Sequence, residues 1–151
     1  WVRPGIMLCC ISPIKGKTGA DFQLQPAMTL FSYVIATQLI KASEAVGYGS
    51  QWTAEKDSYI AVVAIGYGDG YPWSAQAGTP VLINGKTYPL VGRVSMDMLT
   101  VEIPSADAVQ VGDTAILWGE GLPVETVARF ANTIPYELIV KLTSRVKHHV
   151  L

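Results

Sequence analysis

Apolar residues recur along this chain in short runs separated by glycine, proline and asparagine. Met28 to Leu39 (MTLFSYVIATQL) alternates apolar and polar positions over part of its length and is rich in Thr, Phe, Tyr, Val and Ile, which predicts a strand. Lys41 to Glu44 is the turn after it. Ile60 to Ile65 is a continuous apolar run, β-branched in part, and predicts a fully buried strand that Gly66 to Gly70 (GYGDG) ends. Pro80 to Ile83 and Lys86 to Val94 flank Asn84-Gly85, the strongest short-range hairpin signal. Met98 to Ile103 predicts another strand, stopped by Pro104-Ser105, and Gly112-Asp113 turns into Thr114 to Trp118. Strand signals at such spacing predict a barrel or sandwich. Helical periodicity appears only late. Pro123 to Ala131 places Val124, Val127, Ala128 and Ala131 on one face, and Tyr136 to Leu142 has the same period. Trp1 to Ile11 reads as the remainder of a strand, and Ser12 to Gln25 as a loop. The expectation is one mainly β domain over 1–151, a small closed or nearly closed barrel with one or two short helices.

Composition narrows the classes. Half of the 151 residues are hydrophobic, 15% are charged and the net charge is -1, so the chain carries no electrostatic footprint for nucleic acid or an anionic membrane. No apolar run approaches the ~20 residues of a membrane span. Cys9 and Cys10 are adjacent and could form only a strained vicinal bridge, which makes a reducing cytoplasm the default expectation. The chain opens Trp1-Val2-Arg3, and the expectation is a piece of a longer protein.

Four stretches could carry chemistry. In Arg3-Pro4-Gly5-Ile6, glycine permits close backbone approach and free amides could hold a phosphate; the plain alternative is a strand start with a solvated arginine. Tyr48 stands between two glycines and is placed to project into open space. A phenol with a pKa near 10 is ionised in about one molecule per thousand at pH 7, so its use as a base costs roughly 4 kcal/mol unless cations lie close. Its alternative is a surface-turn aromatic. Tyr67 and Asp69 sit in GYGDG, which lacks the Lys-Ser/Thr of a phosphate loop and reads otherwise as a glycine-rich strand exit. Arg93 with Ser95-Met96-Asp97 could hold a carboxylate on backbone amides; the alternative is a β-turn in which Asp97 bonds its own backbone. His148 and His149 are neighbours with opposite directions on a strand, and no Cys or carboxylate cluster completes a metal set, so no metal is expected.

Taken in order, VRPGIML, AVGYG, VAIGYGDGYP, GTPVLINGK, PLVGRVSMDM, VGD, LWGEGLPVE, TIPYEL and LTSRV run from Val2 to Val146. With them the chain resembles the C-terminal domain of the alanine racemases. The resemblance implies a β-rich domain that follows a pyridoxal-phosphate-binding barrel and works in a homodimer. The whole enzyme would interconvert L- and D-alanine by a two-base mechanism and supply D-alanine for peptidoglycan in the cytoplasm.

Residue by residue, the resemblance gives Tyr48 the role of the base offered to the partner subunit. The second base, the cofactor-binding lysine, would lie in the missing barrel, so the domain alone should be inactive. Arg3 matches the arginine at the pyridine nitrogen, where a guanidinium can only donate and so keeps that nitrogen unprotonated. Gly5 and Ile6 match amides on the cofactor phosphate, Met96 the amide that meets the substrate carboxylate, and Tyr67 and Arg93 the lining of the substrate entrance. Four positions depart from the family pattern: Cys9-Cys10 replace a usual Tyr-Gly, Trp73 stands where an arginine commonly follows GYP, and Ser144 where some members have a phosphate-contacting tyrosine. Alternatives are a racemase for serine or another amino acid, or a non-catalytic β-barrel binding module.

Overall fold

The computed structural model describes residues 1–47, 49 and 52–150. In chain order the strands are β1 (Leu30–Ile40), β2 (Ala45–Val46), β3 (Trp52–Thr53), β4 (Ser58–Val63), β5 (Pro80–Ile83), β6 (Lys86–Val91), β7 (Leu99–Ile103) and β8 (Thr114–Trp118). Two helices follow, α1 (Val124–Phe130) and α2 (Pro135–Val140). Six strands close into an antiparallel barrel in the order β1-β4-β7-β6-β5-β8, and β8 returns to pair with β1. Closure pairs each of the six barrel strands on both sides.

Period-two alternation builds the core. β7 buries Leu99, Val101 and Ile103 and turns Thr100 and Glu102 outward, while β5 buries Val81 and Ile83. With Leu90, Ala115 and Leu117 these side chains fill the barrel. Each such aliphatic side chain stabilises the fold by about 1.5–3 kcal/mol through burial. The Asn84-Gly85 hairpin forms as expected: both residues have positive φ, 51° and 73°, and Ile83 pairs with Lys86 across them. A type I′ turn of this kind matches the twist of its strands.

The continuous apolar run at Ile60 has its physical reason in β4, which is buried on both faces. Ala61 and Val63 enter the barrel core, whereas Ile60 joins Ile40, Val46, Ala54 and Val91 in a second cluster. The short β2–β3 ribbon covers that cluster, with Ala45 opposite Thr53 and Val46 opposite Trp52.

The helix face expected from the sequence is the buried one: Val124, Val127, Ala128 and Ala131 are all within 5% of full burial. α2 begins at Pro135, whose fixed φ suits a first helical turn. Two expectations change. Trp1 to Ile11 is not a strand; Gly5–Cys9 forms a 3-10 turn, because Pro4 is already helical and Gly5 and Cys10 take positive φ of 59° and 58°. The second hairpin strand stops at Val91 rather than Val94. Gly92 turns the chain there at φ 71°, and a Cβ at Gly92 would lie 2.8 Å from the Val46 carbonyl oxygen.

Tyr71 and Trp118 stack in the core with ring centroids 5.9 Å apart and planes 15° from parallel. Both are buried, and the Tyr71 hydroxyl and Trp118 Nε1 have no hydrogen-bond partner among the described residues. Burial pushes the Tyr71 phenol well above its usual pKa, because the phenolate would be desolvated. With the folded value raised, this group favours folding below the unfolded phenol's pKa near 10, and that contribution is lost as pH climbs above it. Tyr71→Phe should therefore leave stability at pH 7 unchanged or raised by up to about 1 kcal/mol, and should flatten the decline above pH ~10. Urea melts of both forms across pH 7 to 11 would check this; a loss of stability at pH 7 would show that the hydroxyl is bonded.

Candidate functional site

The sequence-predicted residues fall into two groups. The first surrounds a cleft of about 880 Å³ between the N-terminal turn, the Ser12–Lys17 loop and the α1–α2 corner. Arg3, Gly5 and Ile6 line it together with Lys15, Lys17 and Arg129, and Glu125 is the acidic member of the lining. Positive charge therefore dominates. Ile6 is buried and anchors the turn, while Arg3 and Gly5 stay exposed. No side chain caps this turn, and the Gly5 and Ile6 amides donate to no acceptor among the described residues. A Cβ at Gly5 would lie 2.7 Å from the Tyr136 hydroxyl, so glycine leaves that backbone open directly beside a phenol. Open amides, a cationic lining and a hydroxyl fit a phosphate-bearing, anionic cofactor such as pyridoxal phosphate.

The cleft wall depends on Glu125, from the first turn of α1. Its Oε1 accepts hydrogen bonds from the Ser12 N–H (2.9 Å) and the Gly19 N–H (2.8 Å). One carboxylate thus pins both ends of the loop that carries Lys15 and Lys17.

The second group lies at the exit of β4. Tyr67 opens the short 3-10 turn Tyr67–Asp69, and Met96 sits in the loop between β6 and β7; both are half-exposed. The Tyr67 N–H donates to the Ser95 carbonyl (3.0 Å) and the Gly68 N–H to the Met96 carbonyl (2.9 Å). The Met96 N–H donates to no acceptor among the described residues. The glycines of GYGDG have a structural purpose that the sequence left open: they bring the turn against the protein itself. A Cβ at Gly66 would collide with the Ser95 and Met96 carbonyls, and one at Gly70 with the backbone of Lys141 and Leu142. Arg93 is half-buried, with its guanidinium carbon 4.3 Å from the centre of the Trp73 ring, a cation–π contact.

Asp97 does not bond its own backbone. The loop is closed by Ser95, whose Oγ donates to the Met98 carbonyl (2.8 Å) and accepts from the Met98 N–H (3.1 Å). Asp97 instead accepts from Arg145 Nη2 at 2.6 Å, and Arg145 Nε lies 3.1 Å from Asp69 Oδ1. The hydrogen bond to Asp97, with the Asp69 charge beside it, pushes the Arg145 pKa up further. Tyr67, Arg93 and Met96 do not line the cleft of Arg3.

Tyr48 lies outside the described residues. Its neighbour Gly47 packs on the β6 exit, where an added Cβ would be 3.0 Å from the Arg93 amide nitrogen. Sequence reasoning missed Tyr136 and Arg145 as members of the two groups. Both stand in segments that carry the resemblance, TIPYEL and LTSRV, but no local pattern set them apart.

A closed antiparallel barrel with a cationic cleft and a separate glycine-tightened loop pair defines the class as a small mainly β domain. Its particular family is that of the alanine racemase C-terminal domain, whose family model matches residues 27–150, and the chain belongs to it. The alanine racemases of Aeromonas hydrophila and Shewanella piezotolerans are 58% and 59% identical over 146 residues, which is 97% of this chain and 41% of each relative. The crystal structure of the biosynthetic alanine racemase from Pseudomonas aeruginosa superposes with a TM-score of 0.93 at 47% identity, covering 97% of this chain and 41% of that one. The alanine racemase of Acinetobacter baumannii gives 0.89 at 45% identity, over 93% and 39%. The chain therefore spans about two-fifths of the length of these relatives.

Glu125→Ala would leave two part-buried amides without an acceptor, at a cost of about 1–3 kcal/mol. Proteolysis of the 12–19 loop should accelerate with it. Equal cleavage rates and equal denaturation midpoints would show that the loop is held by other contacts.

Proposed function

We propose that this chain is the C-terminal part of a pyridoxal-phosphate-dependent alanine racemase that interconverts L- and D-alanine as a homodimer. The single observation that carries the reading is membership of the alanine racemase C-terminal family, with 97% of the chain matched at 58–59% identity. Arg3, Gly5 and Ile6 line one cleft, and Tyr67, Arg93 and Met96 lie outside it. On the family resemblance, the first group would serve the domain's own subunit and Tyr48 would serve the partner. An N-terminal barrel carrying the cofactor lysine would complete the protein, consistent with the share of the relatives that this chain leaves unmatched.

Pyridoxal phosphate, when bound, supplies an electron sink for the pair left at Cα. Arg3 would donate to the pyridine nitrogen and hold it unprotonated, since guanidinium neither accepts a hydrogen bond nor gives up its proton. The Gly5 and Ile6 amides would hold the phosphate. The Met96 amide, free of any acceptor among the described residues, would orient the substrate carboxylate. Tyr48, as the phenolate, would take the Cα proton on one face while the protonated lysine returns one on the other; in the reverse direction the neutral lysine takes the proton and the Tyr48 phenol returns one. One proton leaves, one arrives, and only the configuration changes. D-alanine made this way would feed peptidoglycan, with the enzyme in the cytoplasm. Among the described residues no helix is long and apolar enough to cross a membrane.

The test uses the full-length protein that carries this chain, purified with pyridoxal phosphate. Deuterium wash-in at Cα of L-alanine should accompany D-alanine formation. Tyr48→Phe should then cripple proton removal from one enantiomer far more than from the other. Cofactor binding without alanine turnover would favour another amino acid, and small, equal losses in both directions would remove Tyr48 from the base role.

The Trp73–Arg93 stack covers one face of a cation that would line the substrate entrance. Trp73→Arg should release that contact and place a second cation there. The kcat/KM for alanine should then change, because the entrance gains a cation able to meet the substrate carboxylate at short range. An unchanged kcat/KM would count against any role of Trp73 at the entrance.

A further inference from the structure

We propose that Arg145 is a positioning residue for the substrate site: it locks the Tyr67 turn to the Met96 loop, so that the Met96 amide and the Tyr67 side chain keep one fixed separation. The substrate part of this inference rests on the reading above, in which the Met96 amide meets an amino-acid carboxylate; the clamp itself rests on the contacts.

Three backbone segments meet at this place: the Gly66–Gly70 turn, the Ser95–Met98 loop and the stretch 143–145. The turn and the loop are joined by two backbone hydrogen bonds, Tyr67 to Ser95 and Gly68 to Met96. The turn and the 143–145 stretch are joined by Thr143, whose Oγ1 donates to the Gly68 carbonyl (2.9 Å) and whose N–H donates to the Asp69 carbonyl (3.1 Å). Arg145 completes the triangle. One guanidinium reaches Asp69 with Nε at 3.1 Å and Asp97 with Nη2 at 2.6 Å. Asp69 is itself fixed, because its Oδ2 accepts from the Gly66 N–H at 2.9 Å. Among the described residues, Arg145 is the side chain that bonds Asp97. A planar fork bonded to two carboxylates on different segments fixes their spacing, which a lysine ammonium does less well.

Charge adds a second reason. Asp69 and Asp97 place two carboxylates beside the loop whose Met96 amide would receive another. Arg145 bonds to both and offsets part of that negative field. Arg145 is also half-exposed and outside the barrel core, so its removal leaves the packed interior untouched.

The experiment compares the full-length, pyridoxal-phosphate-loaded protein with its Arg145→Met and Arg145→Lys variants. Two readouts are taken: amide hydrogen exchange over 66–70 and 95–98, and KM and kcat for alanine. Arg145→Met should speed exchange in those two segments by about tenfold and leave the barrel strands unchanged. It should raise KM by about tenfold with kcat within about threefold, and Arg145→Lys should fall between. Unchanged exchange and KM would overturn the proposal. Faster exchange throughout β4 and β7, with kcat and melting temperature falling together, would overturn it too, since that marks a general structural role. If the unsubstituted protein does not turn over alanine, the racemase reading fails, while exchange at 66–70 and 95–98 still decides whether Arg145 is the clamp.

Discussion

Strand β8 pairs with β5 on one side, through Leu82 to Ile116 and Ile83 to Ala115, and with β1 on the other, through Phe31 to Ile116 and Ser32 to Ala115. That double pairing closes the barrel, and the loops of the candidate site depend on it. A closed sheet fixes the tilt and spacing of every strand relative to the others. The exits of β4 and β6 are thereby held in a set relation, and so are the Tyr67 turn and the Arg93–Met96 segment that begin there. β4 and β6 are not neighbours; β7 lies between them, paired with both. The contact between the two exits is therefore made in the loops, by the Tyr67–Ser95 and Gly68–Met96 hydrogen bonds.

The second consequence concerns the outside of the barrel. β4 cannot leave its outer face to water, because Ile60 is apolar there, and the β2–β3 ribbon shields it through Val46. The ribbon in turn is seated by a reciprocal close approach: Gly92 accommodates the Val46 carbonyl, and Gly47 accommodates the Arg93 amide. Local burial thus ties the segment that precedes Tyr48 to the segment that holds Arg93. Two stretches far apart in sequence gain a common platform without any hydrogen bond between their side chains being required.

Much of this was legible in the sequence because it rests on local rules. Asn84-Gly85 announced its turn through two positive-φ residues, and Val124, Val127, Ala128 and Ala131 announced a helix face through their spacing. The unbroken run from Ile60 announced burial on both sides, though not that a two-stranded ribbon would provide the cover. Three things were not legible, each for a physical reason. The N-terminal turn depended on Gly5 and Cys10 both taking positive φ, which a cysteine shows no sign of in sequence. The glycines of GYGDG read as a strand exit, and nothing local announced that the backbones of Ser95, Met96 and Lys141 would pack against them. Asp97 had a plausible local partner in its own turn, and a long-range arginine outcompeted it with a charge-assisted bond. Residue chemistry picked out the stretches that hold Arg3 and Met96, and the resemblance gave each its role; Tyr136 became visible only when the chain was folded over Gly5.

The two groups of residues differ in the kind of rigidity they need. A phosphate is held by several donors that share one multiply charged partner, so the cleft can be built on a loop provided the loop is pinned, as Glu125 pins Ser12 and Gly19. A single amide that orients a substrate carboxylate has no such redundancy, and an error of an ångström there is felt fully in the reacting geometry. The crowding of the GYGDG turn answers that difference. Its glycines pack directly against neighbouring backbone, and Thr143 fastens it to the chain beyond α2. Tight backbone packing at one site and charge with a pinned loop at the other are two solutions on one barrel, and each suits the ligand group it would face.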